Sequence, residues 1–154
     1  MKPGVFTQLY IQLVFSPKYR EALFHKEHRQ QLWPYMGKTV SNLGNKSIII
    51  NGMADHVHIL LGLNPKISIS DVVRDLKRSS SYWINQQKWF RGNFAWQDGY
   101  GAFSYGRSQL DDIYKYVQNQ EEHHKKRNFK EEYMGLLKLF DIKFEKQYLF
   151  EFFE

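Results

Sequence analysis

Residues 56–63, HVHILLGL, alternate between two chemistries: His56 and His58 face one way, and Val57, Ile59 and Leu61 face the other. A strand of this kind has to bury its apolar set, which leaves the histidine face free for another use. The stretch before it, KSIIINGM at 46–53, is also β-prone, and only a short turn around Ala54 and Asp55 separates the two. Together they read as an antiparallel hairpin, closed downstream by Asn64-Pro65. Any fold open to this chain is built around that hairpin.

The flanking segments complete a recognisable order. Residues 5–15, VFTQLYIQLVF, place Val5, Leu9, Ile11, Leu13 and Phe15 on one face with Gln8, Tyr10 and Gln12 opposite, which predicts a first strand. Leu32, Met36, Val40 and Leu43 recur at helical spacing up to Gly44, with Pro34 implying a kink or a late start. Ser68 and Asp71 form a capping-box signature ahead of a stripe of Val72, Val73, Leu76, Trp83 and Ile84. Residues 94–105, FAWQDGYGAFSY, predict a strand that Gly99 and Gly101 bulge or bend. A second box, Ser108 to Asp111, opens a helix expected from about 109 to 127. The order β-α-β-β-α-β, then a helix, predicts an α+β, ferredoxin-like fold. One antiparallel sheet carries helices on one face, plus a C-terminal helix. The whole of 1–154 reads as a single domain with its core at about 5–127, and residues 128–154 as a short helical, aromatic-rich extension.

Composition narrows the chemistry. The absence of cysteine excludes disulfides and thiolate zinc sites and suits a reducing compartment, so a cytoplasmic location is expected. No apolar run approaches membrane-spanning length, and neither export nor membrane insertion is expected. A net charge of +6 and 17% aromatic residues suit a polyanion, above all single-stranded nucleic acid stacked over a basic groove. Lys18, Arg20, Arg74, Lys77 and Arg78 are the candidate phosphate contacts, although each is equally suited to being a solvated charge.

On a strand, His56 and His58 stand about 7 Å apart on one face, close enough for their rings to converge on one ion. The same pair also suits a half-exposed strand whose imidazoles bond to water. Asp55 is placed to orient an imidazole or simply to make the turn. On the helix after Ser108, advancing about 100° per residue, Tyr116, Gln120 and His124 share the stripe of Leu110, Ile113 and Val117, while Tyr114 falls on the flank. Buried polar groups need partners, so this face is expected to meet the histidines, a metal or another molecule.

DHVHILLGL, followed about sixty residues later by YVQNQEEHH, resembles the single-tyrosine HUH transposases of the insertion-sequence 200/605 type, including relatives associated with repeated extragenic palindromes. YIQLVFSPKYR, SISDVVRDLKRSSS and FAWQDGYGAFSYG extend the resemblance over most of residues 5–127. It implies that His56 and His58 are metal ligands, Tyr116 the nucleophile and Gln120 the third ligand, with His124 an accessory or alternative ligand. It further implies Mg²⁺ or Mn²⁺, cleavage and rejoining of single-stranded or hairpin DNA through a 5′-phosphotyrosine, and a homodimer in which the tyrosine helix can act in trans. Localisation would be cytoplasmic, at the nucleoid when DNA is bound. Two other classes fit parts of the pattern: a non-catalytic nucleic-acid-binding module resembling RNA-recognition domains, and a metal-dependent phosphoesterase that activates water.

Overall fold

The computed structural model describes residues 3–153. Four strands, β1 (Tyr10–Phe15), β2 (Lys46–Met53), β3 (His56–Gly62) and β4 (Gly101–Tyr105), form one antiparallel sheet in the order β2-β3-β1-β4. That is the ferredoxin-like order. In it β3, the histidine strand, lies between β2 and β1, with His58 opposite Asn51 on one side and Val14 on the other. The β2–β3 turn is tight: a side chain at Gly52 would collide with the His56 carbonyl oxygen. The first strand is shorter than its alternation suggests, because only residues 10–15 find partners on β3 and β4.

Two helices follow the expected stripes. In α1 (Lys26–Asn42), Leu32, Met36 and Val40 are fully buried. Pro34 sits inside this helix on its exposed side, so neither a late start nor an interruption is needed. Ser68 caps α2 (Ile69–Gln87) by accepting from the Asp71 amide at 3.1 Å. Val72, Val73, Leu76 and Ile84 then join Leu13, Phe15, Ile59 and Leu61 in the main core.

The opposite face carries the second helical layer, α3 (Leu110–Gln118), α4 (Gln120–His124) and α5 (Phe129–Leu139). Leu60 of β3 packs there with Ile113 and Val117. The expected 109–127 helix is thus two pieces with a break at Asn119. The cause is tertiary: Asn51 of β2 donates to the carbonyls of Val117 and Gln118, both at 3.0 Å, at the end of α3. The Ser108–Asp111 box does not form either. Residues 107–109 make a 3₁₀ turn, and the Gly106 amide donates to Gln109 Oε1 at 2.9 Å instead. Residues 101–105 alone form the strand expected at 94–105; Gly99 takes φ +87°, and Pro17–Trp96 is an isolated bridge.

Asn128 and Glu131 form the capping box of α5. Phe129, Tyr133, Leu136 and Leu137 from this helix, and Phe150 beyond it, enter the main core, so the C-terminal extension shares the core of the sheet. Glu151 anchors the tail through two bonds to the Gln97 side chain, at 2.7 and 2.8 Å. No helix among the described residues is long and apolar enough to cross a membrane.

Candidate active site

The period-two pattern of β3 delivers both imidazoles into the layer between the sheet and α3–α5. Both are fully buried, with ring centroids 5.0 Å apart. His56 Nδ1 donates to Asp55 Oδ1 at 2.8 Å, and the Asp55 carbonyl accepts from the Ser16 hydroxyl at 2.7 Å. Asp55 therefore makes the turn and orients the ring. His56 Nε2 faces Gln120 Oε1 at 2.9 Å. With an oxygen at each nitrogen, this ring is built to carry two protons when no ion is present. Burial alone would lower its pKa, but Asp55 and Glu132 together hold it at about 9.

His58 differs. Tyr105 donates to Gln12 Oε1 at 2.6 Å, which turns the Gln12 amide so that its nitrogen faces His58 Nδ1 at 2.8 Å. His58 Nε2 then faces Glu132 Oε1 at 3.0 Å. Burial outweighs the Glu132 charge here and keeps this imidazole below its ordinary pKa, in the neutral form.

Glu132 is the hub of the site and lies in the tail, where no site residue was expected. It is 1% exposed. Its Oε1 lies 3.3 Å from His56 Nε2 and 3.2 Å from His124 Nε2, besides its contact with His58. Its Oε2 accepts from Tyr116 and, at 3.1 Å, from Gln120 Nε2. Although burial opposes ionisation, the surrounding imidazoles hold this carboxyl far below the usual range. A sequence signal did exist. Glu132 occupies the buried stripe of α5 with Phe129, Tyr133 and Leu136, an acidic group on an apolar face.

Tyr116 reaches the histidines of its own chain. Its ring stands edge-on to His58 at 5.9 Å and stacks on His123 at 4.7 Å. Arg127, half-buried and also unforeseen, donates to the phenol oxygen at 3.4 Å. Burial, then the Glu132 charge, raises the Tyr116 pKa well above that of an ordinary phenol, and Arg127 acts in the other direction. The phenol borders a cleft of about 430 Å³ that Tyr105, Gln109, Asp112 and Arg127 also line. Tyr114 lies outside the site, 38% exposed. His124 touches Glu132 and packs its ring 4.7 Å from His56.

The donors of His56, His58 and Glu132 lie within 4.8 Å of one another, and Gln120 Oε1 adjoins them. Two nitrogens and two oxygens make a donor set that suits a divalent ion of intermediate hardness. The expected phosphate contacts scatter. Lys18, Arg20 and Arg78 are exposed. Arg74 pairs with Asp71 and Asp75 at 3.0 and 3.1 Å. Lys77 is committed to the fold: its ammonium donates to the Gln97 and Gly99 carbonyls, both at 2.7 Å, and burial lowers its pKa to about 8.

Residues 5–120 match the protein family described as IS200-like transposase. The transposase of insertion sequence element IS200 from Salmonella typhimurium is 30% identical over 118 residues, covering 73% of this chain and 77% of that protein. The ISDra2 transposase TnpA of Deinococcus radiodurans is 28% identical over 123 residues, 76% of this chain and 87% of its own. In fold, the chain resembles a solved REP-associated tyrosine transposase bound to a REP hairpin, with a TM-score of 0.58 at 12% identity over 80% of this chain and 74% of that one. The matched range contains every strand of the sheet, the histidine pair, Tyr116 and Gln120, and by that measure the chain belongs to the IS200-like transposase family.

Proposed function

We propose that this transposase cleaves and rejoins single-stranded DNA by attack of Tyr116 on a scissile phosphate, beside a divalent ion held by His56, His58 and Gln120. The observation that carries the reading is the meeting of nucleophile and histidine pair on one carboxylate: Tyr116 and His58 both bond to Glu132. His56 is oriented by Asp55 in the manner of a ligand imidazole, its second nitrogen turned inward. Mg²⁺ and Mn²⁺ both suit this donor set, Mn²⁺ being the more tolerant of nitrogen. When bound, the ion polarises a scissile phosphate oxygen and offsets the charge that develops there.

The chain's own residues do the rest. Tyr116 is held with its phenol at the edge of the cleft. Burial and the Glu132 charge keep this phenol protonated in the metal-free protein, and its proton leaves in the attack. The new bond joins the tyrosine oxygen to the 5′-phosphate, and the departing 3′-oxygen takes up a proton. That linkage keeps the phosphodiester's energy, so a second 3′-hydroxyl can reverse the step and join strands. Arg127 places a cation beside the attacking oxygen. Lys18, Arg20 and Arg78 are exposed at the surface, where they can contact the DNA backbone. Single-stranded or hairpin DNA in the cytoplasm is the substrate of this reading, and two chains pair as a homodimer in which each carries a complete site.

The test is an incubation with labelled single-stranded oligonucleotides and Mn²⁺, followed by denaturing electrophoresis. The wild type is expected to give a denaturation-resistant adduct and Tyr116→Phe none. Cleavage without an adduct would transfer the chemistry to water, and binding without cleavage would leave a recognition module.

A further inference from the structure

We infer that Glu132 is a fourth metal ligand that also positions the nucleophile, one carboxylate oxygen closing the donor set of His56, His58 and Gln120 while the other holds the Tyr116 phenol. This rests on the metal-dependent reading above and adds a residue that lies outside the family match at 5–120.

Spacing is the first argument. In an octahedral site with metal–ligand distances near 2.1 Å, neighbouring ligand atoms are about 3.0 Å apart. Glu132 Oε1 lies 3.0 Å from His58 Nε2 and 3.3 Å from His56 Nε2, and Gln120 Oε1 lies 2.9 Å from His56 Nε2. These three separations match the edge length of such a site.

Charge is the second. Two neutral imidazoles and an amide would leave a doubly charged ion buried with no anion from the protein. Glu132 supplies that anion from a position almost without solvent, where an ionised carboxylate itself needs a cation close by. Ion and carboxylate each answer the other's burial. A hard oxygen ligand also moves the site towards Mg²⁺ and Mn²⁺ and away from softer ions.

Placement is the third. Asn128 caps the first turn of α5 through the Glu131 amide, and the Phe129 ring lies flat on His56 with centroids 4.3 Å apart and planes 3° from parallel. Glu132, one turn on from Phe129, is therefore fixed in register against the histidine it would share. Because Oε2 accepts from Tyr116, the carboxylate holds ion and nucleophile at a set separation. Through Oε2 Glu132 touches the phenol oxygen that attacks, and its part there is to position Tyr116.

Mn²⁺ binding, measured by calorimetry and electron paramagnetic resonance without DNA, tests the inference. Glu132→Gln is expected to weaken Mn²⁺ affinity roughly ten- to hundredfold, and Glu132→Asp to recover part of the loss. Thermal melts establish that each variant is folded. On the wild type alone, ¹⁷O hyperfine coupling should count two exchangeable waters on a six-coordinate ion with four protein ligands. Three waters, or Glu132→Gln binding Mn²⁺ as tightly as or tighter than wild type, overturn the fourth ligand. If His58→Ala still loses Mn²⁺ in that case, the metal reading stands; a wild type that takes up no Mn²⁺ overturns both.

Discussion

The two faces of the sheet divide the work of the protein. Against α1 and α2 the packing is mostly apolar: Leu13, Phe15, Ile59 and Leu61 meet Leu32, Met36, Val72 and Leu76, and the buried Ser80 hydroxyl is paired with Trp96 and the Leu76 carbonyl. Against α3–α5 the same strands present Gln12, His56 and His58 to Tyr116, Gln120 and Glu132, several of them buried without a trace of exposure. Adjacent residues of β3 belong to opposite regimes. Burial of each large apolar side chain contributes about 1.5–3 kcal/mol on the first face, whereas polar groups on the second are tolerated only because nearly all are paired. One face can thus carry the stability that lets the other hold costly chemistry.

The largest effect expected from breaking this division is that of Tyr116→Phe, which should abolish the DNA adduct while leaving the melting temperature close to wild type. Mixing it with His58→Ala sharpens the point, since Tyr116 serves the histidines of its own chain in this structure. No activity should return. Recovery in a demonstrated mixed dimer would mean that the tyrosine helix works in trans.

Neighbouring residues give the next contrast. His58→Ala should eliminate Mn²⁺ uptake and the adduct together. Ile59→Ala should cost about 2–5 kcal/mol of stability by leaving a cavity, yet preserve the adduct at temperatures where it is folded. Chemical denaturation alongside Mn²⁺ titration checks both; if the two variants behave alike, the faces are not separate.

A smaller effect concerns pH. The His56 pKa is raised from 6.5 to about 9 in the fold, so the stability it contributes is fully present below pH 6.5 and disappears as pH rises to about 9. Metal-free protein should lose on the order of 1–3 kcal/mol across that interval, and Asp55→Asn should flatten the slope. Mn²⁺ affinity should rise over the same range, because the ion replaces protons on the imidazole. A metal-free melting temperature independent of pH would show that His56 is neutral.

The smallest lies on the apolar side, far from the site. Ser68→Ala removes the cap of α2 and should lower stability by about 1 kcal/mol, with Mn²⁺ affinity unchanged. A shift in metal binding would reveal coupling through the sheet that the packing gives no reason to expect.

Much of this was legible in the sequence because it is local. Alternation set the strands, the 3.6-residue stripes set α1 and α2, and HVH placed two imidazoles on one face. The failures have different causes. Asn51 lies far from Asn119 in the chain, so nothing near position 119 foretold that a β2 side chain would bond the last carbonyls of α3. The Ser108 box gave way to Gln109 because the chain leaves β4 through a 3₁₀ turn. Glu132 was missed although it met the test that singled out Tyr116 and Gln120, a polar residue on a buried helical stripe, and Phe129, Tyr133 and Leu136 mark that stripe in the tail. Arg127, within a run of basic residues, had no such mark.

The place of β3 in the sheet has a consequence for motion. Its backbone is bonded to β2 and to β1, so the strand that carries the histidines can be exposed only by dismantling the sheet. Tyr116 and Gln120 ride on two short helices with a break between them. Amide hydrogens of β3 should exchange only through global unfolding, and those of α3 and α4 through local opening. The imidazoles are thus held by the most protected part of the sheet, whereas the nucleophile rests on the part of the fold expected to open first.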